Sequence, residues 1–492
     1  MLAGILFALD AGRPAHLEAA HRALSSLSFD EQLAVGVTTI RHGECRLATY
    51  RQYEDTFSVI CRAIDPSPVP SFGGVAEGDR AARLEAARAG IDTGAGTAGL
   101  HQVIDDLVEA SIPERYKMAS SSLAIDWTDH ESWSRPRTKE DPQPANDPDA
   151  SWGHAKRNAP GAKDCLFFGY YAQVATMVHD EAGPVVPELV RRIAVAPPRL
   201  DPAKVMATTL VRAKRSGLVL GDVLADCGYS NRHPANFAAP LRAAGARLVF
   251  DLHPDDRGPR GTFEGAILAN GQLYCPATPG ALLGLGPLKR GASASETAAH
   301  DARSAELARY RLPALTAPDH DGYQRVICPA AAGRLRCPLR PASMSLSGEH
   351  PSILTPPASL PRCCVQQTIT LPPEVNEKTR QAHDYPSAAH RRSYGRRTSS
   401  ERCFASLCDP SAGGLRRGWC RLFGLAKNSL MYALAVVVRN VRILDSFERA
   451  RADEARRAAT GLAPRRRRRR RYGPEVPAPP EPGAAKEPHE PG

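Results

Sequence analysis

The sequence predicts an α/β protein built on a mixed sheet, with a helical region before the sheet and a β-rich insertion inside it. Three observations carry this. Between Ser121 and Leu252, short apolar strand-like runs alternate with helical periodicity, the pattern of a sheet covered by helices. Up to about Pro113, apolar residues recur at three-and-four spacing with polar residues between them, which is the helical period. Between about Pro254 and Pro373 the texture changes to short β-like segments, turn signals and cysteines.

The 492 residues exceed what one domain usually holds, so two or three folded units are expected. Five stretches are distinguished: a helical N-terminal region (1–115), the first part of the sheet core (116–253), the cysteine-bearing insertion (254–373), a helical second part of the core (374–457) and a tail (458–492). The tail holds seven consecutive arginines, Arg465 to Arg471, followed by prolines and charges with nothing to bury, and is expected to be disordered. Any nucleic-acid affinity of that run would be incidental and salt-sensitive.

Net charge is +11, and of 64 basic residues only ten are lysine. Arginine's fork suits bidentate phosphate contacts, which points to a polyanionic partner; the same composition fits coding bias equally well. "MLAGILFALDAG" lacks the basic residues of a secretory leader and reaches Asp10 too soon. The run Leu430 to Val438 is about half the length of a membrane span. A soluble, cytoplasmic protein is therefore expected, whose twelve cysteines are thiols or metal ligands rather than disulfides.

In chain order, "PAHLEAAHRALSSLSFDEQLAVGVTTI" and "TYRQYEDTFSVICRAI" read as helices, and Asp65 to Gly74 as a break. Ser121 to Trp127 is a short apolar strand ending near an acid, and Ser134 to about Lys163 a polar, proline-rich loop. Cys165 to Val178, rich in aromatic and β-branched residues, reads as two paired strands. Asp201 to Gly217 is a helix capped by Asp201 and stopped by Gly217. "VLADCGYSN" gives a strand ending at Asp226, "NFAAPLRAAGA" a helix, and "RLVFDL" the next strand. In the insertion, Asn270-Gly271 marks a hairpin, "RVICPAAAGRLRCPL" reads as a second hairpin, and "CVQQTITL" as a further strand. Helix follows to about Arg457.

Asp126 and Asp226 each follow a short apolar run, where a strand delivers a side chain to the edge of a sheet. Glu401 comes later, on a helix. Two strand acids and one helix acid can converge to hold two divalent cations about 3.5–4 Å apart, the arrangement that activates an attacking oxygen and stabilises a leaving one in phosphodiester chemistry. Mg²⁺ suits such a site because it takes carboxylates while keeping exchangeable waters, and Mn²⁺ can replace it. Asp129 and Asp222 lie close enough in sequence to compete for the two strand positions.

The motifs around these acids resemble those of bacterial insertion-sequence transposases of the DDE class. "ADCGYSN" is similar to the Asp-x-Gly-Tyr at the second acid of that family, "AIDWTD" to its first-acid strand, and Tyr394, Arg397 and Glu401 fit its Tyr-x2-Arg-x3-Glu signature. A β-rich insertion between the second and third acids is also typical of several members. The resemblance, which spans about Ser121 to Arg449, implies an RNase H-like core. It also implies two Mg²⁺ held by Asp126, Asp226 and Glu401, and DNA phosphates positioned by Tyr394 and Arg397. Its partners would be double-stranded DNA, the element's terminal inverted repeats and target. A homodimer would form in the DNA complex, and the setting would be the bacterial nucleoid. The N-terminal helices would then recognise the element's ends; a plain helical scaffold fits their periodicity nearly as well.

The third motif also meets a geometric condition. At about 100° per residue, positions three and seven beyond Tyr394 fall within about 60° of it on a helix beginning near Ser387 or Ala388. Thr398 to Glu401 also reads as a capping box, which would start the helix later and leave Tyr394 outside; the longer helix is favoured. One departure stands out. The family's lysine seven positions after the glutamate is Cys408 here, so Arg416 or Arg417 would have to take over phosphate binding, or end binding is weakened. Two further features are weighed down. Cys275, Cys328, Cys337, Cys363 and Cys364 lack paired Cys-x2-Cys spacing, so free thiols are favoured over a zinc site. His253 is read as a loop residue. The competing functional readings are an inactive DNA-binding remnant and a metal nuclease that hydrolyses without joining.

Overall fold

The computed structural model describes residues 1–14, 16–66, 76–135, 145–155, 165–289, 291–409, 414–415 and 417–463. The arginine run and most of the proline-rich loop lie outside these residues.

The N-terminal region contains α1 (Leu2–Asp10), α2 (Leu17–Ser25), α3 (Phe29–Ala34), the strands β1 (Thr38–Arg41) and β2 (Glu44–Leu47), then α4 (Tyr50–Ile64), α5 (Glu77–Asp92), α6 (Ala98–Ala110) and α7 (Glu114–Lys117). Ser28 and Thr49 open α3 and α4 with reciprocal capping boxes. The expected helix does not run through Thr38–Ile40. These β-branched residues form a strand instead, reversed on itself where His42 and Gly43 take positive φ.

The central sheet holds β3 (Ser122–Glu131), β4 (Ser151–Ala155), β5 (Cys165–Val178), β6 (Val190–Ala196), β7 (Asp222–Ala225) and β8 (Arg247–Phe250), with α8 (Pro202–Arg215), α9 (Cys227–Ser230) and α10 (Ala238–Ala243) in the connections. One edge of β5 pairs with β4 and then β6, and its other edge pairs with β3. The sheet continues β3-β7-β8, antiparallel up to β3 and parallel beyond it. Cys165–Val178 is thus one strand rather than two, because it has partners along both edges. Part of the presumed loop after Ser134 is itself a strand, β4. Asp201 caps α8 through the Ala203 N–H at 3.0 Å, as expected.

The insertion is mixed rather than purely β. It contains β9 (Pro259–Phe263), β10 (Ala266–Ala269), β11 (Gln272–Tyr274), α11 (Gly280–Leu283), the 17-residue α12 (Ala294–Tyr310), β12 (Gln324–Ile327), α13 (Arg362–Val365) and β13 (Thr368–Leu371). The Asn270-Gly271 hairpin forms, with both residues at positive φ. The second hairpin does not. β12 pairs with the distant β13, and the residues after Cys328 turn away.

After the insertion, α14 (Ala388–Tyr394) is capped by Ser387 and passes through one 3-10 turn, Gly395–Arg397, into α15 (Thr398–Cys408). Arg397 and Thr398 both have helical φ and ψ, and no side chain caps α15. The capping box is therefore absent and the longer helix is the one formed. The last helix is α16 (Leu425–Ala459).

The chain divides into two compact units, Met1–Leu444 and Asp445–Gly492. In the first, Ile5, Leu24, Phe57 and Ile104 from the N-terminal helices share one core cluster with Tyr170 and Val174 of the sheet and Leu430 to Val436 of α16. The apolar run Leu430 to Val438 is thus core, each fully buried leucine or valine contributing about 1.5–3 kcal/mol. Among the described residues no helix is long and apolar enough to cross a membrane. The described part of the second unit is helical to Ala459.

Candidate functional site

Asp126 lies on β3 and Asp226 directly follows β7. The two strands are parallel neighbours, with Leu123 opposite Val223 and Ala124 opposite Leu224. Continuing that offset by two residues brings Asp126 level with Asp226. Asp129, three residues further along β3, falls on the other face of the sheet because side chains alternate. Asp222 begins β7, at the far end of the strand from Asp226. Neither competitor enters the site.

The Asp-x-Gly-Tyr segment has a local reason for each residue. Asp226 caps α9, accepting from the Gly228 N–H at 2.9 Å. Gly228 lies under the Trp127 ring, and a Cβ at this position would come within 2.6 Å of it. Tyr229 is fully buried, donates its hydroxyl to Gln173 at 3.2 Å and meets Trp127 edge to face with centroids 4.3 Å apart.

The continuous helical path through α14 and α15 carries Tyr394, Arg397 and Glu401 to the same place. The Arg397 guanidinium donates from Nη1 to Asp126 Oδ2 at 3.0 Å and from Nη2 to Glu401 Oε1 at 2.9 Å. Its Nε donates to the Tyr394 hydroxyl at 3.1 Å. Ser400 adds a longer bond to Asp126 at 3.4 Å. Tyr394 is itself held, stacked on the buried His390 ring with centroids 5.6 Å apart. His390 in turn bonds the Phe250 carbonyl at 3.0 Å.

The electrostatics follow from this packing. Burial pushes the Asp126 carboxyl up to about 6; Arg397 opposes the rise and Asp226 reinforces it. For Arg397, burial alone would lower the pKa, but Tyr394, Asp126, Asp226 and Glu401 together raise it above its ordinary value. All three acids therefore act on one guanidinium. Glu401 remains the open member, with its side chain 59% exposed.

The structure brings together Asp126, Asp226, Glu401, Tyr394 and Arg397. It does not bring in His253, which caps its own short turn by accepting from the Asp255 N–H at 3.3 Å. Arg416 lies outside the described residues, and Arg417 pairs with Glu131 at the end of β3 at 3.6 Å. Among the described residues, no three His, Cys, Asp or Glu side chains stand close enough to hold a metal ion between them. Between Asp126 and Glu401 stands the Arg397 fork.

Sequence reasoning missed Trp127, Ser400, His390 and Arg396. His390 precedes Tyr394 by one helical turn, and that spacing was its only signal. Arg396 points away from the site. It makes a buried ion pair with Asp222 at 2.7 Å and donates to the carbonyls of Ser393 and His179 at 3.0 Å each. Comparison with family models, curated proteins and solved structures gave no match.

Proposed function

We propose that the chain is a DNA transposase of the DDE class, which cuts DNA at the ends of a mobile element and joins the freed 3′ hydroxyl to target DNA. The observation that carries this reading is the convergence of Asp126, Asp226 and Glu401 on one guanidinium at the ends of two parallel strands. The strand order β6-β5-β3-β7-β8, antiparallel on one side of β3 and parallel on the other, supports an RNase H-like core.

The donor chemistry suits Mg²⁺, or Mn²⁺ in its place, because its atoms are hard carboxylate oxygens and three acids outnumber one guanidinium; the three carboxylates would have to close on the ion once the Arg397 fork leaves them. Asp126, Asp226 and Glu401 would hold the ions, which when bound supply an activated oxygen nucleophile and stabilise the leaving oxygen. The chain's own residues do the rest. Arg397, released from its carboxylate partners, turns a bidentate fork to a DNA phosphate, and Tyr394 holds its stem in place. Trp127 and Tyr229 wall the site beside Asp126. Trp133, Arg135 and Arg417 line a cleft of about 510 Å³, and Arg421 lies over the Trp133 ring at 5.1 Å. An aromatic face among guanidinium groups suits nucleic acid. Holding two DNA ends at once calls for a dimer in the assembled complex, and the bacterial nucleoid is the setting that this reading implies.

The test is incubation with the element's terminal repeats and Mg²⁺. Strand nicking that disappears in Asp226→Ala supports the reading; binding without cleavage in any divalent metal overturns it. A second reading, a DNA-binding remnant that does not cut, is favoured by one observation: a neutral thiol, Cys408, stands where the family has a phosphate-binding lysine. Recovery of strand-transfer products separates a transposase from a nuclease that only hydrolyses.

A further inference from the structure

The Arg397 fork is held in a way that an exchange of partners would improve. Its two Nη atoms go to different acids with one bond each, to Asp126 Oδ2 at 3.0 Å and to Glu401 Oε1 at 2.9 Å. Neither is the paired contact that a guanidinium makes with a single carboxylate or phosphate, which is the stronger geometry. The root of the fork is fixed separately. Nε donates to the Tyr394 hydroxyl at 3.1 Å, the guanidinium lies 5.7 Å from the centre of that ring, and Tyr394 is stacked on the buried His390. The Nη atoms can therefore change partners while Nε stays in place. The aspartates are anchored in the same manner. Asp126 Oδ1 accepts from the Trp127 N–H and Asp226 Oδ1 from the Gly228 N–H, both at 2.9 Å. The oxygen that Arg397 holds on Asp126 is the other one.

Neither half of this arrangement is released cheaply alone. The side chains of Arg397 and Asp126 are 14% and 15% exposed, so withdrawing the fork by itself leaves a largely buried carboxylate without its cation. A divalent cation arriving by itself meets a guanidinium already standing between Asp126 and Glu401, and among the described residues no three acids are close enough to take it. A DNA phosphate arriving by itself competes with both acids for the same N–H groups. When the two arrive together every charge keeps a partner, the fork on the phosphate and the cation on the carboxylates. Glu401, 59% exposed, marks the open side.

We propose that Arg397 is an internal counter-cation that couples these two ligands: the metal-free acids withhold it from DNA, and a divalent cation that takes its place hands it to the phosphate backbone. This rests on the transposase reading and specifies how its site is controlled. The closed state is autoinhibited and is opened by both ligands together. Such coupling is reciprocal, so DNA raises cation affinity by the same factor by which the cation raises DNA affinity.

The experiment follows binding of a labelled DNA duplex to the full chain, first in EDTA and then with Ca²⁺, which also seeks oxygen ligands. In EDTA, Glu401→Ala is expected to bind the duplex about tenfold more tightly than wild type, and to gain nothing when Arg397→Ala is added. Simple relief of repulsion between Glu401 and DNA gives the same gain in both backgrounds, and that result overturns the proposal. Ca²⁺ is expected to tighten wild-type binding by a similar factor, against the loosening that added salt ordinarily causes, and Arg397→Ala loses the effect. Direct bridging by the cation survives that substitution and is the second overturning result. Calorimetric titration of Ca²⁺ into wild type, with and without the duplex, reads the reciprocal factor; equal affinities overturn the coupling even if the Arg397 variants fail to fold. A chain that binds the duplex equally under all these conditions loses this inference and keeps the transposase reading, whereas one that binds no duplex under any of them loses both.

Discussion

Arg396 and Arg397 are adjacent on one helical turn yet serve opposite ends of β7. Arg396 reaches Asp222 at the start of the strand, where the two side chains are 4% and 2% exposed. Arg247 adds a second guanidinium to the same carboxylate at 2.7 Å while also reaching the more exposed Glu181 at 3.8 Å, so two cations face one buried acid. Arg397 reaches the other end, where three acids face one cation and Glu401 stands in solvent. The first arrangement is closed and has no use for a further ion. The second carries surplus negative charge with an open side, which is the condition for taking up cations. Neighbouring residues of one type thus separate into a clamp and a site, and the count of opposing charges tells them apart.

The largest effect that would sharpen this contrast is on catalysis. Asp226→Ala is expected to lower metal-dependent nicking by about 10⁴-fold while leaving the melting temperature close to wild type, since its cap bond closes only a four-residue helix. Next comes the clamp. Arg396→Ala leaves the Asp222 carboxylate buried with a partner removed and should cost about 3–5 kcal/mol in denaturant unfolding. Arg397→Ala should cost clearly less, because Asp126 can take up a proton and Glu401 is solvated. Equal losses would break the distinction.

The third prediction concerns pH. The folded pKa of Asp126, about 6, lies above its unfolded value near 3.8. The folded state therefore binds the proton more tightly, and the stability this contributes is present below about pH 4 and lost as pH rises through 6. Asp126→Asn removes that dependence. Its stability relative to wild type should increase by roughly 3 kcal/mol between pH 4 and pH 7 and then level off, as read from denaturation at each pH. Smallest is Gly228→Ala. Its Cβ would meet the Trp127 ring, for a loss of about 1–3 kcal/mol, relieved in part when Trp127→Ala is added.

How much was legible follows from the sequence distance between partners. Tyr394, Arg397 and Glu401 could be placed on one face because they lie within seven residues of one another, and the helix that does this was readable from Pro386 onward. The Asn270-Gly271 hairpin was readable for the same reason. Ile327 pairs with Thr368 across forty residues, so a local reading built a second hairpin that does not exist. Cys165–Val178 was divided because it exceeds the usual strand length, and only its partners on both edges show that it is continuous. The Arg396–Asp222 clamp joins residues too far apart for any pattern to reveal. Asp222 looked like a rival to Asp226 because the sequence does not show which end of a strand faces the helix.

The position of the insertion has a consequence for how the molecule is made. A chain emerging from its N-terminus completes all six strands of the central sheet, and then the whole 254–373 stretch, before Arg397 can arrive. It returns by laying Ala382 against the Leu248 carbonyl and Gln381 against Phe250, along the outer side of β8. Until then two aspartates stand side by side without the guanidinium that bonds Asp126. A delay in folding the insertion would therefore leave the sheet intact while postponing the moment at which the third carboxylate joins it.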